Sequence, residues 1–191
     1  MHVRLVAVAA AIALGACAKG VSAPPASSLT STRRAGQFVW HDLVTRDLAQ
    51  SKAFYGKLLG WSFEDAPGSR GRYVFIRHDG RLIGGMAEVK DGINVSQWVS
   101  HVSATDVDRA AASATAAGGR VAVKPFSVGG TARIAVLQDP QGAPFGVVKL
   151  EPGDPARADA SVNGWLWHEL WTSDTSAARQ FYGSVLGYRT E

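Results

Sequence analysis

The side chains best suited to chemistry stand in a four-residue motif that occurs twice. Residues 40–43, Trp-His-Asp-Leu, return 127 positions later as residues 167–170, Trp-His-Glu-Leu. A histidine in a cleft can donate a hydrogen bond or act as a general base. The alternative for His41 and His168 is packing at a strand edge with a hydrogen bond to backbone. The alternative for the two carboxylates is a salt bridge or a helix cap.

His101 is a third candidate, because Val99, His101 and Ser103 alternate along a predicted strand and would face a cleft together. Nucleophilic catalysis has no evident agent, since the sequence contains no Gly-x-Ser-x-Gly turn. Its only cysteine, Cys17, lies near the N-terminus. The glycine pair at 129–130 lacks the following Lys-Ser/Thr of a phosphate-binding loop. The net charge of +4 comes from scattered Lys and Arg residues, so we predict no nucleic-acid partner.

The repeat extends well beyond the motif. Aligned without a gap, residues 38–64 and 165–191 share 11 identities in 27 positions. A repeat of this length predicts two copies of one structural unit. The second copy covers only a strand, a helix and the start of another strand, so we expect a truncated second domain.

The N-terminal segment predicts export and lipid attachment. A signal peptide is predicted at 1–17, because a basic start precedes an apolar run at 5–14 that is short for a membrane span. The run ends in Leu-Gly-Ala before Cys17 and is similar to the bacterial lipobox, in which the cysteine receives the lipid. The alternative is a secretory signal cleaved after Ala18. Residues 18–36 are rich in Ser, Ala and Pro and predict a flexible tether. We therefore expect a lipid-anchored protein of the bacterial cell envelope, facing the periplasm or the outside.

The central region predicts an α+β domain at 37–151. Strand, helix and three strands follow one another twice, in modules at about 37–92 and 96–151, and such pairs can form a curved mixed sheet around a cleft. Asp47 is the expected N-cap and Gly60 the expected end of the first helix. A linker at 152–163 and a partial βαβ copy at 164–191 complete the prediction.

This layout resembles the vicinal oxygen chelate superfamily, which includes glyoxalase I, extradiol dioxygenases and bleomycin-resistance proteins. The resemblance rests on Asp47-Leu48, on Phe54-Tyr55-x-x-x-Leu59-Gly60, and on Asp139-Pro140-Gln141-Gly142-Ala143-Pro144-Phe145-Gly146. The glyoxalase-like branch with two domains is the most similar.

The resemblance implies one divalent metal ion, Zn, Fe, Ni or Mn, held by side chains from the first and last strand of each module. The ligands it implies here are His41, Glu88 and His101. The implied ligand-binding cleft residues are Trp40, Asp42, His101 and Phe145. Gly146 replaces the usual glutamate and offers no ligand. Strand alternation places Asp42 and His41 on opposite faces, unless a bulge reverses the assignment.

Three functions follow as hypotheses. The first is a membrane-tethered domain that binds a small molecule in its cleft. The second is a metal-dependent lyase or isomerase of the glyoxalase type, or a dioxygenase. The third is an envelope protein-interaction module, in which the incomplete second repeat with its Trp165 and Trp167 supports a homodimer.

Overall fold

The computed structural model describes residues 22–90, 96–157 and 162–189. It contains eight strands in one mixed sheet and three α-helices. The strands are β1 Phe38–Thr45, β2 Ser62–Asp65, β3 Tyr73–His78, β4 Arg81–Glu88, β5 Gln97–Ser103, β6 Arg120–Val128, β7 Ala132–Gln138 and β8 Pro144–Leu150. The helices are α1 Leu48–Leu59, α2 Val107–Ala116 and α3 Thr175–Leu186. No helix among these described residues is long and apolar enough to cross a membrane.

The strand order, β2-β3-β4-β1-β5-β8-β7-β6, confirms the two predicted modules as halves of one sheet. Each module pairs its first and last strand in parallel, β1 with β4 and β5 with β8. The modules meet where β1 and β5 pair antiparallel. The first and last strands of both modules are therefore neighbours in the middle of the sheet.

Local signals account for most element boundaries. The Asp47 side chain accepts a hydrogen bond from the Gln50 amide, and Gly60 ends α1 in the left-handed conformation, as predicted. Asp79 and Gly80 both have positive φ in the β3–β4 hairpin, which this dipeptide favours. β6 runs through Pro125 to Val128, and a proline is tolerated there because β6 is an edge strand.

The sheet has two faces, which we call the inner face and the helix face. Val44 of β1, Val99 of β5 and Val136 of β7 cluster on the inner face together with Val123 of β6. Since β1 and β6 lie four places apart in the sheet order, the sheet curves towards this side. The helix face is covered by α1 over the first module and by α2 and α3 over the second.

Residues 22–36, which fall in the predicted flexible tether and which we call the N-terminal strap, contact the domain. The Arg33 side chain donates a hydrogen bond to the Leu150 carbonyl at 2.7 Å, and the Arg34 amide donates one to the buried carboxylate of Asp154. Leu29 packs against the inner-face cluster that contains Val148. A few apolar contacts and a buried acceptor fix this segment, which composition alone does not reveal.

The second copy of the repeat forms its helix but not its first strand. α3 begins after the cap residue Asp174 and ends at Gly187, as α1 does after Asp47 and at Gly60. Residues 165–172 are not in a strand, so the predicted βαβ unit is wrong at its first element. The end of the expected last strand, 190–191, lies outside the described residues. So do residues 1–21, which include the predicted signal peptide and Cys17.

Candidate functional site

Strand alternation separates the predicted site residues between the two faces of the sheet. Asp42 and His101 lie on the inner face, buried and 3.1 Å apart between carboxylate Oδ2 and imidazole Nε2. His41 lies on the helix face, where its ring contacts Trp165 with a centroid distance of 4.1 Å. Glu88 stands at the end of β4, and its carboxylate contacts the Leu48 amide at the start of α1.

The predicted metal set of His41, Glu88 and His101 is therefore not assembled. His41 and His101 lie on opposite sides of the sheet. Glu88 is three residues along β4 from Gly85, which is the register partner of Asp42. The described residues contain no group of three or more His, Cys, Asp or Glu side chains placed to hold a metal ion. Alternation along β1 and β5 is the physical cause.

The centre of the inner face holds a buried network that we call the polar cluster, consisting of Trp40, Asp42, Tyr73 and His101. Asp42 Oδ1 accepts hydrogen bonds from the Tyr73 hydroxyl at 2.6 Å and from the Trp40 indole N–H at 3.0 Å. Burial and the adjacent Asp42 charge raise the pKa of Tyr73 well above its ordinary value, so Tyr73 remains a donor. His101 faces the other carboxylate oxygen, but the direction of its ring nitrogens makes no well-aligned hydrogen bond within the described residues.

Two glycines make room for the polar cluster. Gly85 on β4 is the register partner of Asp42, and Gly146 on β8 is that of His101. A Cβ placed at Gly146 would overlap the His101 imidazole, and a Cβ at Gly85 would overlap the Tyr73 phenol. Side chains from β3 and β5 thus fill the space that side chains of the last strand in each module would need.

The donor set of this centre does not fit the metal that the family resemblance implies. One carboxylate, one imidazole and one phenol converge, and the two remaining central strand positions carry glycine. Sites of this kind require three or four side-chain donors around the ion. One of the two Asp42 oxygens, Oδ1, already accepts hydrogen bonds from Trp40 and Tyr73.

A second site candidate, which we call the aromatic cleft, opens on the helix face. Its volume is about 640 Å³, within the range of small-molecule sites. It lies between the sheet, α3 and residues 167–172. Its aromatic lining consists of Phe38, Trp98, Phe145, Trp167, His168, Tyr182 and Tyr188.

The predicted cleft residues are therefore divided between two places. Trp40, Asp42 and His101 belong to the polar cluster, whereas Phe145 lines the aromatic cleft. Phe38 also reaches the helix face, because a register irregularity between Phe38 and Trp40 breaks the alternation. This is the kind of bulge that sequence alternation cannot place.

The two histidines of the repeated motif meet beside this cleft. His168 Nε2 lies 3.5 Å from His41 Nδ1, and their rings stack at a centroid distance of 5.0 Å. His168 also stacks on Phe38 at 4.0 Å. Burial lowers the pKa of His41 to about 3, helped by the neighbouring His168 and His101, and burial also lowers the pKa of His168. Two neutral imidazoles can stack where two cations would repel each other.

Sequence reasoning missed Tyr73 and the covering role of the second motif. Tyr73 and Phe75 alternate on the inner face, but only the pairing of β3 with β4 places Tyr73 over Gly85. Trp165 covers His41 and donates an indole hydrogen bond to the Ile83 carbonyl at 3.0 Å. The signal available in the sequence was the repeat itself, which indicated a second unit but not that it would cover the first.

A family model and similar proteins point to the same superfamily for this chain. A model described as the Glyoxalase/Bleomycin resistance protein/Dioxygenase superfamily matches residues 36–147. The Mycobacterium bovis protein named "Putative glyoxylase CFP32" is 29% identical over 162 residues, which cover 82% of this chain and 62% of that protein. The Streptomyces sp. protein named "Anthracycline biosynthesis protein DauV" is 30% identical over 168 residues, with 80% and 61% coverage. The chain thus spans about three fifths of the length of these relatives.

A solved structure supports the fold. The Mn(II)-bound glyoxalase from Novosphingobium aromaticivorans superposes with a TM-score of 0.56 at 20% sequence identity. The match covers 83% of this chain and 55% of that one. It establishes a common architecture for the paired modules.

Proposed function

Since the chain belongs to the glyoxalase/bleomycin resistance protein/dioxygenase superfamily, we propose that it binds a small organic molecule in the aromatic cleft. The observation that carries this proposal is the cleft itself, with a volume of about 640 Å³ and a lining that includes seven aromatic residues. The polar cluster is a poorer candidate, because its side chains are buried against one another. Binding in this cleft requires no metal.

The lining selects the class of ligand. Phe38, Trp98 and Phe145 line the cleft, and aromatic side chains favour planar aromatic molecules. Arg179 lies at the exposed edge and suits a ligand that carries a negative charge. A relative named for anthracycline biosynthesis supports a polycyclic aromatic ligand. We propose no metal-dependent lyase or dioxygenase step, since the donors at the centre of the sheet do not fit one.

The proposal is tested with anilinonaphthalene sulfonate, a planar aromatic anion whose fluorescence rises in apolar sites. We expect saturable binding of one probe per chain. Ala143→Trp places an indole in the cleft and is expected to weaken binding at least tenfold. Ala53→Trp, on the exposed surface of α1, is the matched control and should leave binding unchanged. Equal probe affinity in the two variants would contradict the assignment of the cleft.

We also propose that Cys17 carries a lipid and holds the protein at the cell envelope. Support comes from the lipobox-like Leu14-Gly15-Ala16-Cys17 after an apolar run. Incorporation of labelled palmitate into the full chain, and its loss in Cys17→Ser, is the expected result. Palmitate labelling that persists in Cys17→Ser would refute lipidation at this cysteine.

A further inference from the structure

We infer that the polar cluster takes the structural place of a metal ion and joins the two modules without one. The relevant positions are the central residues of the four middle strands. Pairing aligns Asp42 of β1 with Gly85 of β4, and His101 of β5 with Gly146 of β8. A site built from the first and last strand of each module would draw its donors from these four positions.

Space, not backbone conformation, excludes side chains at the two glycines. Neither Gly85 nor Gly146 has a φ in the left-handed region, so other residues could adopt the same backbone. The Tyr73 phenol occupies the position in front of Gly85, and the His101 imidazole occupies that in front of Gly146. The two glycines therefore leave the space that the Tyr73 and His101 side chains fill. We call Tyr73, Gly85, His101 and Gly146 the matched set.

The buried charge has its donors within the protein. Asp42 is 7% exposed, and an isolated carboxylate at that depth would be strongly unfavourable. Trp40 and Tyr73 donate to it from the first module, and His101 reaches it from the second. The carboxylate thus links both modules across the β1–β5 pairing, as an ion shared between modules would.

The matched set is tested by compensation. Gly146→Ala is expected to lower the melting temperature of the full chain by about 10 °C, because the added methyl collides with the imidazole. When His101 is already replaced by alanine, Gly146→Ala should leave the melting temperature almost unchanged. Gly56→Ala on α1, whose added methyl meets ordinary contacts, is the control and should not lower the melting temperature.

If Gly146→Ala does not fold, the comparison of His101→Ala with His101→Ala/Gly146→Ala still decides. A double variant as stable as His101→Ala supports the inference. A double variant that melts about 10 °C lower than His101→Ala overturns it, because the imidazole would then not be what excludes a side chain at 146.

The absence of a metal requirement is tested separately on the full chain purified without chelator. We expect melting temperatures that agree within about 1 °C in EDTA, Mn(II) and Zn(II). Tyr73→Phe removes one donor to Asp42 and should lower the melting temperature by about 5 °C in all three conditions. One bound ion per chain, which raises the melting temperature and is lost in Asp42→Asn and His101→Gln, would overturn the inference. So would an unchanged melting temperature in Tyr73→Phe.

Discussion

Two segments with closely related sequences, 38–64 and 165–189, have different structures in this protein. Their helices are alike: α1 and α3 each contain 12 residues, each has an aspartate N-cap, and each ends at a left-handed glycine. Their opening motifs differ, since residues 38–45 form a central strand whereas residues 165–172 form no strand. A helix completes its hydrogen bonds within its own segment, but a strand needs neighbours. β1 lies between β4 and β5, and the second motif has no such partners among the described residues.

Equivalent residues of the two segments differ in burial. In the opening motif the first copy is the more buried one, whereas in the helix the second copy is. Trp40 is 4% exposed and its counterpart Trp167 is 74% exposed, whereas Phe54 of α1 is 57% exposed and its counterpart Phe181 of α3 is 2% exposed. Phe181 packs with the alanines of α2, a contact that α1 does not make. Equivalent residues thus have different energetic roles, which substitutions can measure.

The largest difference is expected between the two phenylalanines. Phe181→Ala should lower the free energy of unfolding by about 3–5 kcal/mol, because it empties a buried site next to α2. Phe54→Ala should change it by less than about 0.5 kcal/mol, since its ring is mostly in solvent. Urea unfolding monitored by tryptophan fluorescence measures both. Equal losses would show that α3 does not pack on α2 as described.

The repeated histidines should differ in their dependence on pH. The pKa of His41 is about 3 in the folded protein and near 6.5 when unfolded, so below pH 6.5 the unfolded chain binds the proton first. The free energy of unfolding should therefore fall by about 2–3 kcal/mol between pH 6.5 and 4.5.

His41→Gln should remove most of this slope, and His168→Gln only a small part, because His168 is exposed to solvent. Urea midpoints across this pH range provide the measurement. If the free energy of unfolding of His41→Gln depends on pH as it does in the unchanged protein, a group other than His41 causes the loss of stability.

The two helix caps should be equivalent. Asp47 Oδ1 accepts from the Gln50 amide at 2.8 Å, and Asp174 Oδ1 accepts from the Ala177 amide at 2.9 Å. Replacing either aspartate with alanine is expected to cost about 1 kcal/mol. Hydrogen exchange of amides in α1 and α3 localises each loss to its own helix. A much larger loss of stability on replacing one of the two aspartates would show that this side chain makes further stabilising contacts besides the helix cap.

The smallest effect on stability is expected at Trp167, in the exposed segment that the sequence predicts to support a homodimer. Leu166, Trp167 and Trp171 are 76%, 74% and 90% exposed, an apolar surface that monomers rarely present. Trp167→Ala should change the free energy of unfolding by less than about 0.5 kcal/mol.

The same substitution should weaken self-association in sedimentation equilibrium. Val162→Ser, at an equally exposed apolar residue outside the repeated motif, is the control. Association that Trp167→Ala leaves unchanged would reject this surface as the interface.

The fold was largely predictable because its signals are local. Asp47, Gly60 and the Asp79-Gly80 turn each specify their own geometry, and periodicity places the strands between them. The site was less predictable because it depends on pairing. Alternation correctly places Asp42 and His41 on opposite faces, but nothing in the sequence indicates that Tyr73 would fill the space before Gly85. The aromatic cleft depends on a register irregularity at β1 and on the docking of α3, and neither leaves a local pattern.

If Cys17 carries the lipid that we propose, the docked strap limits how far the domain can lie from the membrane. From Cys17 to Ser22, where the described strap begins, five residue steps span at most about 18 Å. A lipid on Cys17 would therefore lie within about 18 Å of Ser22, a shorter reach than a tether over all of 18–36 would allow. The start of the strap lies beside the loops at 67–69 and 129–131, so this end of the inner face would be turned towards the lipid headgroups.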